Sequence, residues 1–295
     1  MKALTDTMTF SSVRHLPLLR NKSLGAGEQE LRMTDTGSNA ARGGAIEMEV
    51  ARPEIDTGKR RQPIAPWWNT GLILAAIAAS SVLGSRHSAK SSMGKHHLAN
   101  YGITLAWEWG LAGIAFWGLR MKKTPLRQML GEKRRGAREF FIDAGVAAVF
   151  WIFSMLVLAS LGLLLRGLHL ESAQKQISQL APSTLTEGAV WIALSISAGI
   201  CEEFLFRGYL QQQFARASGR VWVGVLVSSV LFGSAHGYEG IAGMLMITVF
   251  GALFSLLALR RGSLRAGMIA HGWHDIFSGI ALAVLKLLKV PLGLT

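Results

Sequence analysis

Three short groups of residues in this chain have the types and spacing to do chemistry, and all three sit in apolar surroundings. The first is Cys201-Glu202-Glu203-Phe204-Leu205-Phe206-Arg207, inside the run GAVWIALSISAGICEEFLFRGYL from residue 188 to residue 210. A helix of that length crosses a bilayer core of ~30 Å. A charge near its middle costs roughly 2.5–3.5 kcal/mol on insertion scales, so adjacent carboxylates there need a reason. Glu203 and Arg207 are four apart, share a helix face and can neutralise each other. Glu202 points about 100° away and is free to face a cavity.

The second group is SVLFGSAH, residues 229–236, an apolar segment that closes on His236. The third is His271-Gly272-Trp273-His274-Asp275. His271 and Asp275 lie on one helix face, and His274 sits close to it. Taken singly, each has a plain structural reading. A membrane histidine often hydrogen-bonds between helices, and Glu203–Arg207 reads first as a structural ion pair. As a set of acids and imidazoles on consecutive segments they make a site the working expectation.

Glu202 with a neighbouring imidazole suits activation of a water molecule. His271 with Asp275 suits donation to a carbonyl oxygen as charge develops on it. Together these describe peptide hydrolysis in a water-containing chamber inside a membrane. Glu202, His236, His271 and Asp275 are also the types that hold a divalent metal such as zinc with an open position. The HExxH zinc-protease signature is absent. A third possibility, from another class, is a non-enzymatic or proton-coupled membrane protein, because intramembrane Glu, His and Asp also build proton relays. Cys201 has no cation at the right offset to activate a thiolate, so small apolar packing is its expected role.

The elements that must position these groups follow from hydropathy. Half of the 295 residues are hydrophobic, 17% are charged, and the apolar residues cluster in long runs, which makes this a membrane protein. The net charge of +13 sits beside those runs, where it sets topology and attracts anionic lipid, so nucleic acid is not an expected partner. The single cysteine excludes an internal disulfide. Residues 1–66 are rich in Ser, Thr, Gly and mixed charge, lack an apolar signal-peptide core, and read as a disordered cytoplasmic tail.

Residues 67–295 read as an all-α polytopic membrane bundle of about seven transmembrane helices. Pro66-Trp67-Trp68 places indoles at an interface and opens the first span, to about Gly84. Residues 85–100 read as a solvated loop carrying His87, His96 and His97, which lack a spaced third metal ligand. The second span, Tyr101 to Leu119, carries Glu108 between two tryptophans, at the same energetic cost. From Arg120 to Arg138 there are eight Lys or Arg against one Glu, which the positive-inside rule makes cytoplasmic. The later spans are Phe140 to Leu165, the Glu202 helix ending near Arg216, Val221 to His236, Ile241 to Leu259 and Leu264 to Leu288, with a tight turn at 237–240. This puts the N-terminus inside, and the balance of loops and cysteine use fits a bacterial inner membrane.

The motifs EExxxR (Glu202, Glu203, Arg207), FxxxH (Phe232, His236) and HxxxD (His271, Asp275), in this order on successive spans, resemble those of the CPBP family of intramembrane proteases. That family includes the CAAX prenyl endopeptidases and the bacteriocin-processing and immunity proteins. The resemblance covers about residues 188–280. It implies that Glu202 activates water and His236 helps to hold that water. It further implies that His271 and the residue four on stabilise the oxyanion, with Glu203 and Arg207 in support. The implied substrate is a membrane-associated protein or peptide, prenylated in the CAAX case. Asp275 departs from the pattern, since the family more often has Asn there. An amide donates a hydrogen bond directly, whereas a carboxylate must first be protonated.

Overall fold

The computed structural model describes residues 62–88, 97–131, 136–170 and 180–288, without the side chains of 85–88 and 128. All of these lie in the compact unit Asp56–Thr295. The described residues form helices and turns with no strand: α1 (Trp67–Ser88), α2 (His97–Met121), the short α3 (Arg127–Leu130) and α4 (Ala137–Gly167). After these come α5 (Leu185–Ser218), α6 (Val221–Ala235), α7 (Gly240–Arg261) and α8 (Arg265–Leu287). Five of them are long and apolar enough to cross a membrane: α1, α4, α5, α7 with its preceding turn, and α8. α2 has the length, but Glu108 and its tryptophans reduce its hydropathy. The expected polytopic helical bundle is what forms. Of the tail expected to be disordered, residues 1–66, positions 1–61 lie outside the described residues, and 62–66 are described, with Ile64 and Ala65 buried.

The apolar side chains point both ways, as they do in lipid. Phe141, Val149 and Leu163 on α4 are each about 70% exposed, a surface that would aggregate in water but is ordinary against acyl chains. Inside, helices approach through glycine. A Cβ on Gly199 of α5 would lie 2.7 Å from the Met268 carbonyl oxygen and 2.9 Å from the Gly272 nitrogen of α8. Only hydrogen at that position lets the two backbones touch, the small-residue solution that membrane helices favour. α6 and α7 meet in the same way, Gly233 lying against Thr248 and Met244.

Polar side chains fasten one end of the bundle. Gln213 on α5 accepts from the backbone N–H of Ile64 (2.8 Å) and Ala65 (3.1 Å) and donates to the Ala65 carbonyl and the Thr70 hydroxyl, each at 3.0 Å. Tyr209 donates to Asn69 Oδ1 at 2.7 Å. Ile64 and Ala65 are fully buried by this network, so the packed chain begins ahead of Trp67. Arg261 of α7 donates to Asp143 of α4 at 2.6 Å. At the other end, Thr184 caps α5 by accepting from Glu187 N, and Glu187 reaches back to the Ser183 N–H at 2.7 Å.

His97 corrects the reading of 85–100 as a solvated loop. α1 continues to Ser88, α2 starts at His97, and the His97 imidazole is buried, 3.0 Å from Glu187 and stacked on Tyr101. A carboxylate on a neighbouring helix and an aromatic face hold it out of water. His96 lies outside the described residues.

Gly199→Val is expected to cost about 1–3 kcal/mol of stability by overpacking the α5–α8 crossing. Gly110→Ala, at an open position on α2, should be neutral or slightly stabilising. Thermal unfolding of both variants in detergent checks the contrast.

Candidate functional site

α5 is not a uniform α-helix. Between Glu203 and Leu210 it widens into a π-helical segment, with the Gln211 N–H bonding to the Phe206 carbonyl five residues back. Such segments are rare and gather at functional sites. This one begins at the second glutamate of the motif, and no residue pattern in 203–210 announces it.

The two glutamates diverge as their one-residue offset requires. The Glu203 side chain is fully buried, while that of Glu202 keeps 20% exposure. Glu203 Oε1 accepts from Arg207 Nη1 at 2.8 Å and from His271 Nδ1 at 3.0 Å. A carboxylate brings no proton to that second bond in its ionised form, so Nδ1 carries the hydrogen. Gly267 faces the other oxygen, where a Cβ would stand 3.1 Å from Oε2.

Arg207 is nearly fully buried and uses its donors economically. Nη2 donates to the Gly251 carbonyl of α7 at 3.2 Å, and the guanidinium lies over the Phe232 ring at 4.3 Å and the Phe254 ring at 5.2 Å. Charge, hydrogen bonds and aromatic faces together replace its lost hydration. Phe232 is the common wall of the cluster, with ring centroids 5.0 Å from His236 and 5.9 Å from His271.

The Nε2 edge of His271 faces two more acids, 3.6 Å from Glu202 and 3.7 Å from Asp275. Three carboxylates therefore surround one imidazole. His236 follows the last residue of α6. That helix has 15 residues, about 22 Å at 1.5 Å per residue, so it stops short of a full crossing. A 3₁₀ turn at Gly237–Glu239 then reverses the chain into α7. Irregular backbone at such depth is tolerated where it borders a cavity. The His236 Nδ1 donates to the Phe232 carbonyl at 2.9 Å, leaving Nε2 as its open ring nitrogen.

A cavity of about 440 Å³ lies between α1, α2, α5 and the end of α6, and Glu202, His236, Tyr238 and Glu108 all line it. His271 and Asp275 are not among its lining residues and reach it through Glu202. The four expected site residues thus fall in two layers, Glu202 and His236 on the cavity wall and His271 and Asp275 behind. His274 lies apart from the acids. Its ring packs against Phe250 at 4.8 Å and its Nδ1 is buried without a partner. Cys201 is buried on the cavity wall with its Sγ 4.0 Å from the Ser197 hydroxyl, in keeping with packing. Two contributors escaped the sequence reading. The Glu203–His271 bond joins residues 68 positions apart, and Tyr238 lies in a turn whose composition signalled only a reversal.

Among the described residues no three His, Cys, Asp or Glu side chains come together as a ligand set. The Nδ1 atoms of His271 and His236 are committed to Glu203 and to the Phe232 carbonyl.

Fold and cluster together define a polytopic helical membrane protein with acids and imidazoles gathered in its interior. Residues 184–277 match the family model described as Rce1-like, type II CAAX prenyl endopeptidase. That segment holds all three motifs, from Glu202 to Asp275. No curated protein and no solved structure matches the chain.

Arg207→Met is expected to destabilise the protein by roughly 3–5 kcal/mol, because it leaves the Glu203 carboxylate buried without its cation. Arg207→Met combined with Glu203→Leu should recover much of that loss. Chemical unfolding of the single and double variants in detergent measures the difference.

Proposed function

We propose that this chain is an intramembrane endopeptidase that hydrolyses a peptide bond of a membrane-associated protein or peptide. The observation that carries the reading is the His271 imidazole bonded to buried Glu203 while its other edge faces Glu202, itself on the wall of a cavity shared with His236. Glu202 takes a proton from water as the water oxygen attacks the scissile carbonyl carbon. His236, with Nδ1 tied to the backbone, presents Nε2 to orient that water. A donor from the His271–Asp275 pair, with His271 as the imidazolium carrying a second hydrogen on Nε2, stabilises the charge that builds on the carbonyl oxygen of the tetrahedral intermediate. The proton on Glu202 then passes to the leaving nitrogen as the C–N bond breaks. Glu203 and Arg207 act through His271, fixing the direction of its ring. No step runs through a metal.

The CAAX-type name of the matched family supports a prenylated substrate for this site. The basic run between Arg120 and Arg138 supports a cytoplasmic N-terminus, and a bacterial inner membrane fits the chain. A proton-coupled role draws support from a single feature, the buried carboxylate of Glu108 on the same cavity. Proton flux into vesicles distinguishes it from hydrolysis.

Cleavage of a membrane-tethered peptide by the purified protein should fall about 10²-fold or more in Glu202→Gln and in His236→Ala. Full activity in Glu202→Gln would remove the proposal. Asp275→Asn should retain cleavage, because an amide supplies the donor directly, whereas Asp275→Leu should lose it. Activity is expected to persist in the presence of a chelator, measured on the same peptide.

A further inference from the structure

Glu108 is not used by the hydrolytic reading and costs the most to keep where it is. It lies on α2, is 8% exposed, and its Oε2 is buried without a hydrogen-bond partner. None of the ion pairs among the described residues involves it. It nevertheless lines the same cavity as Glu202, within electrostatic reach of the like charges of Glu202 and Asp275, and has a side-chain hydrogen bond with Ser197 and the attraction of His271 on the other side. Two carboxylates therefore face one hollow whose lining holds no lysine or arginine.

The rest of the wall narrows what would complement them. Ile77, Leu83, Ile103 and Leu111 are aliphatic, and the Trp107 indole stands one residue from Glu108. An apolar wall, an indole face and a carboxylate oxygen without a hydrogen-bond partner together suit a long aliphatic stem that ends in a cation. Lysine and arginine side chains have that form, laying their methylenes on apolar surface while the head finds a charge or a π face. A desolvated cation–carboxylate bond is also among the stronger single contacts a site can offer.

We propose that Glu108 is a specificity determinant that receives a lysine or arginine side chain of the substrate next to the bond that Glu202 attacks. This rests on the hydrolytic reading of the cavity and adds a substrate class to it: membrane-associated peptides carrying a basic residue close to the cleaved bond.

The test uses the full chain in lipid nanodiscs and lipid-tethered peptides identical except for lysine, arginine or norleucine at each position in turn. Norleucine keeps the stem and removes the charge. Binding is read in the Glu202→Gln background and cleavage with Glu202 intact, so the two proposals fail separately. At one position the basic peptides should bind about tenfold more tightly than norleucine, and in Glu108→Gln that ratio should fall to within about twofold of unity. Glu108→Asp, which keeps the charge, should retain part of the preference. Absence of a basic preference with Glu108 in place overturns the inference even if Glu108→Gln fails to fold, and so does a tenfold preference that survives Glu108→Gln. Loss of cleavage in Glu202→Gln without any basic preference would leave the hydrolytic reading standing alone.

Discussion

The carboxylate of Glu203 is the point on which the interior of this protein depends. It is a buried charge in the middle of a membrane helix, tolerable only with partners that match it. It has two, a guanidinium on its own helix and an imidazole from α8. The first neutralises it. The second uses it, because an acceptor at Nδ1 holds one N–H of His271 and fixes which way the ring, and so Nε2, points. The same carboxylate thus supports the fold and sets the chemistry available on the opposite edge of the imidazole.

Keeping that contact requires several helices to come unusually close. α8 can bring His271 to Glu203 because Gly199 has no side chain to hold the helices apart, and Gly267 leaves room at the second carboxylate oxygen. Arg207 reaches across to the α7 backbone at Gly251. Phe232 of α6 fills the space among Arg207, His236 and His271. Each glycine or aromatic has a packing reason, and together they close the back of the site while leaving Glu202 on the cavity. The π segment at Glu203–Leu210 changes the register of α5 where these contacts are made.

The cavity differs from the cluster behind it in kind. The cluster is bonded within itself: Arg207 Nη1 and His271 Nδ1 both donate to Glu203 Oε1, although Glu203 Oε2 has no hydrogen-bond partner. The cavity is more open, since Glu202 is partly exposed, His236 has an open ring nitrogen and Glu108 Oε2 has no partner. A bonded layer that orients and an open layer that faces a ligand is the arrangement expected of a preorganised site. The short length of α6 contributes as well. By ending at Ala235 it leaves His236 and the 3₁₀ turn at the depth of the hollow, where a full-length helix would have carried them to the surface.

The sequence by itself determined the helices and the inventory of the site. Hydropathy placed seven helical segments to within a few residues, because a bilayer imposes apolarity on each span. Spacing alone paired Glu203 with Arg207, since four residues make a helix neighbour. Only the tertiary structure decided which groups meet across helices. The bond from Glu203 to His271, the burial of His97 against Glu187 and the tie of Gln213 to Ile64 and Ala65 join distant positions, and their local sequences carry no mark of one another. The two-layer order of the site, with Glu108 on the cavity and His271 behind it, likewise follows from how the glycine-lined crossings fit together. Periodicity along one helix reports its faces and says nothing of what packs against them.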